Sequence, residues 1–394
     1  MNVFAAVMTG NKIGAIATIQ LCGDCAQAVV KQIFEPIGGE DTVFAPGKIR
    51  LGTITHAGQA IDQVVLGCEG ADNFTINCHG NPLIVEDIMK LLAEHGVQPV
   101  TSGQLYAKIL AAEELPGTIA LEAKLAQASS LTLEGTILIA NQIEGGLAGA
   151  AARWLEQMDA MSLDTIKDVA GGILSNSEKA GLIINGCRAV IAGPPNSGKS
   201  TLFNYLCGKQ KAIVSDIRGT TRDWLSARCR VGPLSVELVD TAGLDSNPAA
   251  SSTDNVELAS RQRTLEMLQS ADLVLLVLDA AEAENTLGPA LLENIAGKKV
   301  LTLLNKADLA PRLDFDGLGQ MPRNMLRISA KLGTGIPALL NEIPNISGVA
   351  GFDLHNAVCF TPRQHALMKL LHRAPSKQDA VSIITELLNG RADV

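Results

Sequence analysis

The chain has 394 residues, 47% of them hydrophobic and 19% charged, which exceeds one ordinary domain and excludes global disorder. Its 32 basic against 41 acidic residues leave a net charge of −9, and aromatics are only 3%. Neither a nucleic-acid-coating surface nor a set of base-stacking platforms is expected from that balance.

In chain order, residues 1–110 read as a mixed α/β region. Short β-like runs at Ile13–Leu21, Ile49–Ile54, Val64–Leu66 and Phe74–Cys78 alternate with Gly and Asn/Asp turns. A helical period covers Leu83–Glu94, with Asn81-Pro82 as its start signal. From about 104 to 182, Ala, Leu, Glu and Gln dominate at helical spacing, which predicts packed helices. At Gly186 the pattern changes. Apolar runs at Arg188–Ala192, Val236–Val239, Leu273–Leu278 and Val300–Leu304 alternate with helical stretches at 200–207, 255–269 and 287–296. That alternation predicts a doubly wound parallel sheet. Beyond Pro344, the segments Arg363–His372 and Lys377–Leu388 are again helical by period. The expected fold class is therefore α/β: a doubly wound sheet domain inserted in a helical domain and preceded by an N-terminal α/β domain. The expected boundaries are 1–110 for the N-terminal domain, 111–185 and 346–394 for the two helical parts, and 186–345 for the inserted sheet domain.

The eight cysteines are scattered, with one CxxC pair at Cys22 and Cys25. Without a second pair or a histidine pair, reduced thiols are expected rather than a zinc site. The N-terminus has no charged leader, and the longest apolar runs are strand-length. A cytoplasmic protein with no membrane span is expected.

Gly193-Pro-Pro-Asn-Ser-Gly198-Lys199-Ser200 matches the phosphate-binding loop, glycine, four residues, then Gly-Lys-Ser. Backbone N–H groups from Gly193 through Asn196, Ser197 and Gly198 to Thr201 would wrap the phosphates at a helix N-terminus. Lys199 would reach the β- and γ-phosphates, and the Ser200 hydroxyl would ligate Mg²⁺. Asp240-Thr-Ala-Gly243 follows a predicted strand, so Asp240 can hold a Mg²⁺-bound water and Gly243 can bring an N–H to the γ-phosphate. Thr221, in Thr220-Thr221-Arg-Asp223, lies where a switch loop is expected and offers a further hydroxyl to Mg²⁺; the alternative is a solvated Thr/Arg loop.

Asn305-Lys306-Ala-Asp308 selects the base. An aspartate accepts from guanine N1–H and the exocyclic amine, a donor pair that adenine lacks. Asn305 can tie this loop to the phosphate loop, and the Lys306 stem can cover the base. Ser329-Ala330-Lys331 fits the last base-contacting loop. Four motifs in this order imply a GTP/GDP-binding, GTP-hydrolysing domain. Leu244 stands where many GTPases carry a water-orienting glutamine, so either hydrolysis is very slow or the water is oriented from elsewhere.

On these residues, together with Asp216-Ile-Arg-Gly-Thr-Thr-Arg-Asp223 and Asp240-Thr-Ala-Gly-Leu244, the chain resembles the MnmE/TrmE family of K⁺-activated tRNA-modification GTPases. The resemblance extends to Asn77-Cys-His79-Gly80-Asn-Pro82, which is similar to the family's Gly-His-Gly-Gly-Pro stretch. It implies that Asn196 helps bind K⁺, that residues 212–221 close over the ion, and that Glu257 orients the hydrolytic water indirectly. A solvated helix-face charge is the other reading of Glu257. It further implies a folate-domain-like N-terminal region that makes a homodimer, a tRNA substrate and a partner modification flavoprotein. Three places depart from the family pattern. Gln20 and Thr101-Ser-Gly-Gln-Leu105 stand where the family carries an arginine and an Arg-Pro-Gly-Glu-Phe stretch linked to folate, and the last cysteine is Cys359 rather than one in a Cys-x-Gly-Lys tail. A GTPase switch or assembly factor without modification chemistry is therefore the second reading. Arg363, His365, Lys369, His372, Arg373 and Lys377 form a basic cluster, read either as an RNA-binding lead or as a solvated helix face.

Overall fold

The computed structural model describes all residues except 1, 11–12, 39–43, 112–116, 210–224, 241–265, 284–286, 288, 314–323, 391 and 393–394. It divides into two compact units, Met1–Pro116 with Ala392–Val394, and Gly117–Arg391.

The first unit is built on a seven-stranded sheet. Its strands are β1 (Val3–Val7), β2 (Ile16–Gly23), β3 (Phe34–Pro36), β4 (Lys48–His56), β5 (Gln59–Gly70), β6 (Asn73–His79) and β7 (Gln98–Pro99), in the order β3-β4-β5-β6-β2-β1-β7. Period-2 alternation drives the layering: Phe74, Ile76 and Cys78 of β6 are buried, and the residues between them are not. Helices α1 (Ala26–Ile33) and α2 (Pro82–Glu94) supply Val29, Val30, Ile88, Leu91 and Leu92 to the same core. Helix α2 starts where Asn81 accepts from Leu83 N–H at 3.0 Å, with Pro82 in the first turn. Such a cap contributes about 1 kcal/mol. Helix α3 (Ser102–Ala111) follows β7, and its Lys108 ammonium lies 4.0 Å from the Phe4 ring centroid.

In the second unit, helices α4 (Thr118–Ser129), α5 (Leu133–Asn141), α6 (Leu147–Glu156) and α7 (Leu163–Asn185) precede the sheet. Two more, Pro362–His372 and Lys377–Asn389, follow it. Residues from both sides of the insertion share one core: Ile119, Leu147, Trp154 and Ile166 pack with Met368, Leu371 and Ile384. A buried ion pair joins them as well. Glu122 takes a bidentate grip from Arg363, at 2.7 Å to Nε and 3.0 Å to Nη2, and also accepts from Gln364 at 2.6 Å.

The inserted sheet has six described strands. They are β8 (Cys187–Ala192), β9 (Leu225–Val231), β10 (Leu234–Asp240), β11 (Leu273–Asp279), β12 (Val300–Asn305) and β13 (Met325–Arg327), ordered β13-β12-β11-β8-β10-β9. Around them lie α8 (Lys199–Lys209), α9 (Pro289–Ile295) and α10 (Ile336–Ser347), and the two helices that close the chain become α11 and α12. Strands β11 and β12 are buried along their whole length, as strands covered on both faces must be.

The sheet differs from the wholly parallel expectation in one strand, because β9 runs antiparallel to β10. The turn explains it. Only Gly232 and Pro233 separate the two strands, Gly232 has φ +57, and a two-residue connection can only make a hairpin. Pro344, expected to mark the end of the sheet domain, lies inside α10, and Ile343 and Val349 on either side of it belong to the sheet's core. Of the predicted helix 255–269, residues 255–265 lie outside the described residues.

Candidate guanine-nucleotide site

Strand β8 delivers the chain to the phosphate loop at the C-terminal edge of the sheet, the edge where open α/β folds bind ligands. Two glycines there are sterically obligatory. Gly193 has φ +147, and a Cβ on it would lie 2.1 Å from the Val277 carbonyl oxygen. Gly198 has φ +96, and a Cβ would lie 2.2 Å from Asn305 Nδ2. Asn196 sits at the crest of the loop with φ +61, a conformation that asparagine tolerates better than most residues.

Lys199 opens α8 and is 4% exposed. Its Nζ donates to the carbonyls of Gly193 and Pro194, both at 2.9 Å, which closes the loop from inside and leaves the ammonium at the loop's centre. Ser197 is 1% exposed, and its Oγ has no hydrogen-bond partner among the described residues. A buried hydroxyl of this kind costs about 1–3 kcal/mol until a partner arrives. Ser200 and Thr201 are exposed on the first turn of α8, and Asp240 is buried at the end of β10 beside Ile191.

The base-selecting loops converge on Asn305, which is 3% exposed. Its Nδ2 donates to the Ser197 carbonyl at 2.8 Å, and its Oδ1 accepts from Ala330 N–H at 2.9 Å. Asp308 Oδ1 accepts from Ser329 Oγ at 2.6 Å. That hydrogen bond, with a lesser backbone contribution, holds the Asp308 carboxyl below the usual aspartate range. Lys331 is exposed beside it. The structure thus gathers Gly193, Asn196, Ser197, Gly198, Lys199, Ser200 and Thr201 with Asn305, Lys306, Asp308, Ser329, Ala330 and Lys331. Thr221, Gly243 and Glu257, together with the loop 212–221, lie outside the described residues.

Motif reading passes over two features. Asp279 ends β11 and pairs with Lys306; its only sequence signal is an acid terminating an otherwise apolar strand. Gly333, at φ +80, leaves the space that the Tyr205 phenol of α8 fills, with the hydroxyl 1.9 Å from where a Cβ would stand.

The basic cluster near the C-terminus is largely committed elsewhere. Arg363 is spent on Glu122. Lys377 Nζ donates to the Met158 carbonyl at 2.8 Å, and His372 Nδ1 to that of Lys167 at 2.8 Å. Partial burial, followed by the nearby Lys369 charge, pushes the His365 pKa down. Cys22 and Cys25 are free thiols, and no cluster of metal-ligating side chains occurs among the described residues.

Comparison with known proteins agrees with this geometry. Residues 3–108 match the family described as "GTP-binding protein TrmE N-terminus", and residues 188–306 match "50S ribosome-binding GTPase". A tRNA modification GTPase MnmE of Lactobacillus delbrueckii is 30% identical over 346 residues, covering 79% of this chain and 73% of that protein. The chain belongs to the MnmE family. The MnmE of Acetivibrio thermocellus is 28% identical over 404 residues, covering 92% of this chain and 86% of its own length. That of Lactococcus lactis is 27% identical over 423 residues, covering 99% and 89%. As a member of the MnmE family, the chain is a GTPase, and its sheet domain binds guanine nucleotide.

Proposed function

We propose that this GTPase hydrolyses GTP with the help of Mg²⁺ and K⁺ and serves the modification of tRNA wobble uridine. The observation that carries the reading is the Asn305 bridge, which fastens the guanine-selecting loop to the phosphate loop and to Ala330. Phosphoryl transfer is mostly positioning and charge neutralisation, and such a bridge fixes the distance between base and phosphates. In this reading Lys199 and the backbone N–H groups around it hold the phosphates, Asp308 accepts from the guanine edge, and Glu257 orients the attacking water.

The oxygen donors Ser200, Thr221 and Asp240 suit Mg²⁺, a hard cation, and the Asn196 side chain suits K⁺. Bound there, the two cations would neutralise charge on the phosphate oxygens. The buried Ser197 Oγ, without a hydrogen-bond partner among the described residues, and the two obligatory glycines fit a loop shaped for an anion.

A homodimer formed through the first unit belongs to the same reading. Its support is the exposed apolar row of Ile49, Leu51 and Val65, in which Leu51 and Val65 face each other across β4 and β5. No described helix is long and apolar enough to cross a membrane, and a cytoplasmic location with tRNA and a modification flavoprotein as partners completes the proposal.

One observation favours the second reading, a GTP-controlled switch or assembly factor. Gln20 Nε2 donates to Glu69 Oε2 at 2.9 Å and to Asn73 Oδ1 at 2.8 Å. A carboxylate, not a cation, stands beside this position, which does not fit the acidic tail of a folate.

The test has two arms. Phosphate release from GTP is measured in K⁺ and in Na⁺, and wobble-uridine modification is compared between wild-type and deletion strains. Faster release in K⁺ and loss of modification support the proposal. Equal rates remove K⁺ from it, and unchanged tRNA transfers the case to the switch.

A further inference from the structure

Asp279 and Asn305 are the last register pair of two fully buried parallel strands, so β11 and β12 deliver them side by side at the ligand-binding edge. The side chain of Asp279 is 6% exposed. Its Oδ1 accepts from Ala281 N–H at 2.9 Å, which fixes the plane of the carboxylate, and its Oδ2 accepts from Lys306 Nζ at 2.5 Å. The chain is cross-tied at the same level by Ala280 N–H donating to the Asn305 carbonyl at 2.9 Å.

Lys306 adopts φ +61, a backbone conformation that a long L side chain rarely takes. It does so between Asn305, clamped to Ser197 and Ala330, and Asp308, clamped to Ser329. The lysine is therefore fixed at both ends, by its backbone turn and by its ammonium. Between those points runs a four-carbon apolar stem, the part of a lysine that covers flat apolar surface.

We propose that Asp279 is a positioning residue for guanine-nucleotide binding: by holding Lys306 Nζ, it lays the lysine stem along the base site framed by Asn305 and Asp308. The inference rests on reading Asn305, Lys306 and Asp308 as the base-binding loop. An untethered lysine would sample many rotamers in water and would lose that freedom each time a nucleotide bound. The tethered one has lost it in advance, which slows release without touching the phosphates.

The test uses the full-length chain, a fluorescent GDP analogue to follow release, and steady-state GTP turnover. D279N keeps the size of the side chain and the acceptor for Ala281 while removing the charge. It is expected to speed GDP release about tenfold or more and to raise KM for GTP in parallel. The kcat should stay within about twofold. K306M should reproduce the effect, and D279N/K306M should be no worse than either single variant, because both act through one side chain. Unchanged GDP release in D279N, or single effects that multiply in the double variant, overturns the proposal. Should D279N fail to fold, K306M and K306R decide together: faster release in K306M that K306R, which keeps a charge for Asp279, restores supports the tether, and wild-type release in K306M or an equal loss in K306R overturns it. D308N separates this inference from the reading beneath it. A gain in affinity for xanthosine diphosphate at the expense of GDP upholds the base-binding loop whatever D279N does. Absence of that gain refutes the loop and the inference together.

Discussion

Asn305 Nδ2 donates to the Ser197 carbonyl at 2.8 Å across 108 positions of chain, and the same side chain accepts from Ala330 N–H at 2.9 Å. One buried amide thereby holds three loops in register. Asn305→Ala leaves a buried carbonyl and a buried N–H unpaired, at about 1–3 kcal/mol for each group. The expected result is a lower urea midpoint and at least a tenfold loss of GDP affinity, read by denaturation and by titration calorimetry. Wild-type GDP affinity in this variant would show that the bridge does not organise the site.

The glycine cradle gives a sharper outcome. Gly198→Ala would place a methyl 2.2 Å from Asn305 Nδ2, on top of the penalty of φ +96. Either Asn305 swings away or the loop opens, so nucleotide binding should fall below detection in an equilibrium filtration assay. Gly208→Ala is the control, since a Cβ there meets nothing within 4 Å. It should bind GDP normally.

The Glu122–Arg363 pair joins helices that flank the inserted sheet in sequence, with side-chain exposures of 3% and 9%. Removing one partner of a buried pair costs about 3–5 kcal/mol, because the other charge is left uncompensated. Glu122→Ala should therefore lower the unfolding free energy by that amount, read as a fall in the denaturant midpoint at unchanged slope. A midpoint within error of wild type would mean that Arg363 finds water or another acceptor. The pair also predicts that Arg363→Gln alters stability before it alters any RNA affinity.

Acid tolerance follows from Asp308. Its hydrogen bond from Ser329 holds the carboxyl below the ordinary aspartate value, so the group protonates at a lower pH than a free aspartate. A depressed folded-state pKa contributes stability that is present above the unfolded value and lost as pH falls through the folded one. Acceptance from the guanine edge should persist over the same window. Ser329→Ala removes the leading cause, raises the carboxyl pKa, and should move the acid limb of GDP binding to higher pH. Coincident acid limbs for the two proteins would refute the role of Ser329.

The sequence makes the nucleotide loops legible because glycine, lysine and aspartate at fixed offsets are required by the anion and the base, and those offsets survive without a structure. Asp279 has no such offset. A single acid at the end of an apolar strand gains meaning only when β12 is seen to bring Lys306 beside it. Arg363 illustrates the same limit, since its partner Glu122 is 241 positions away and a basic helix reads as surface until that partner is placed. Strand β9 is legible in the sequence as well: Ala227, Cys229 and Val231 are buried and alternate with Arg228 and Arg230, the period of a half-buried strand.

Lys199 and Asp308 together should make the chain a guanine-specific hydrolase. This is tested most directly by phosphate release from GTP and from ATP, in Mg²⁺ and K⁺, for the wild-type chain and Lys199→Ala. The expected result is turnover of GTP, none of ATP, and none of either by the variant. Equal turnover of ATP, or undiminished GTP turnover by Lys199→Ala, would contradict it.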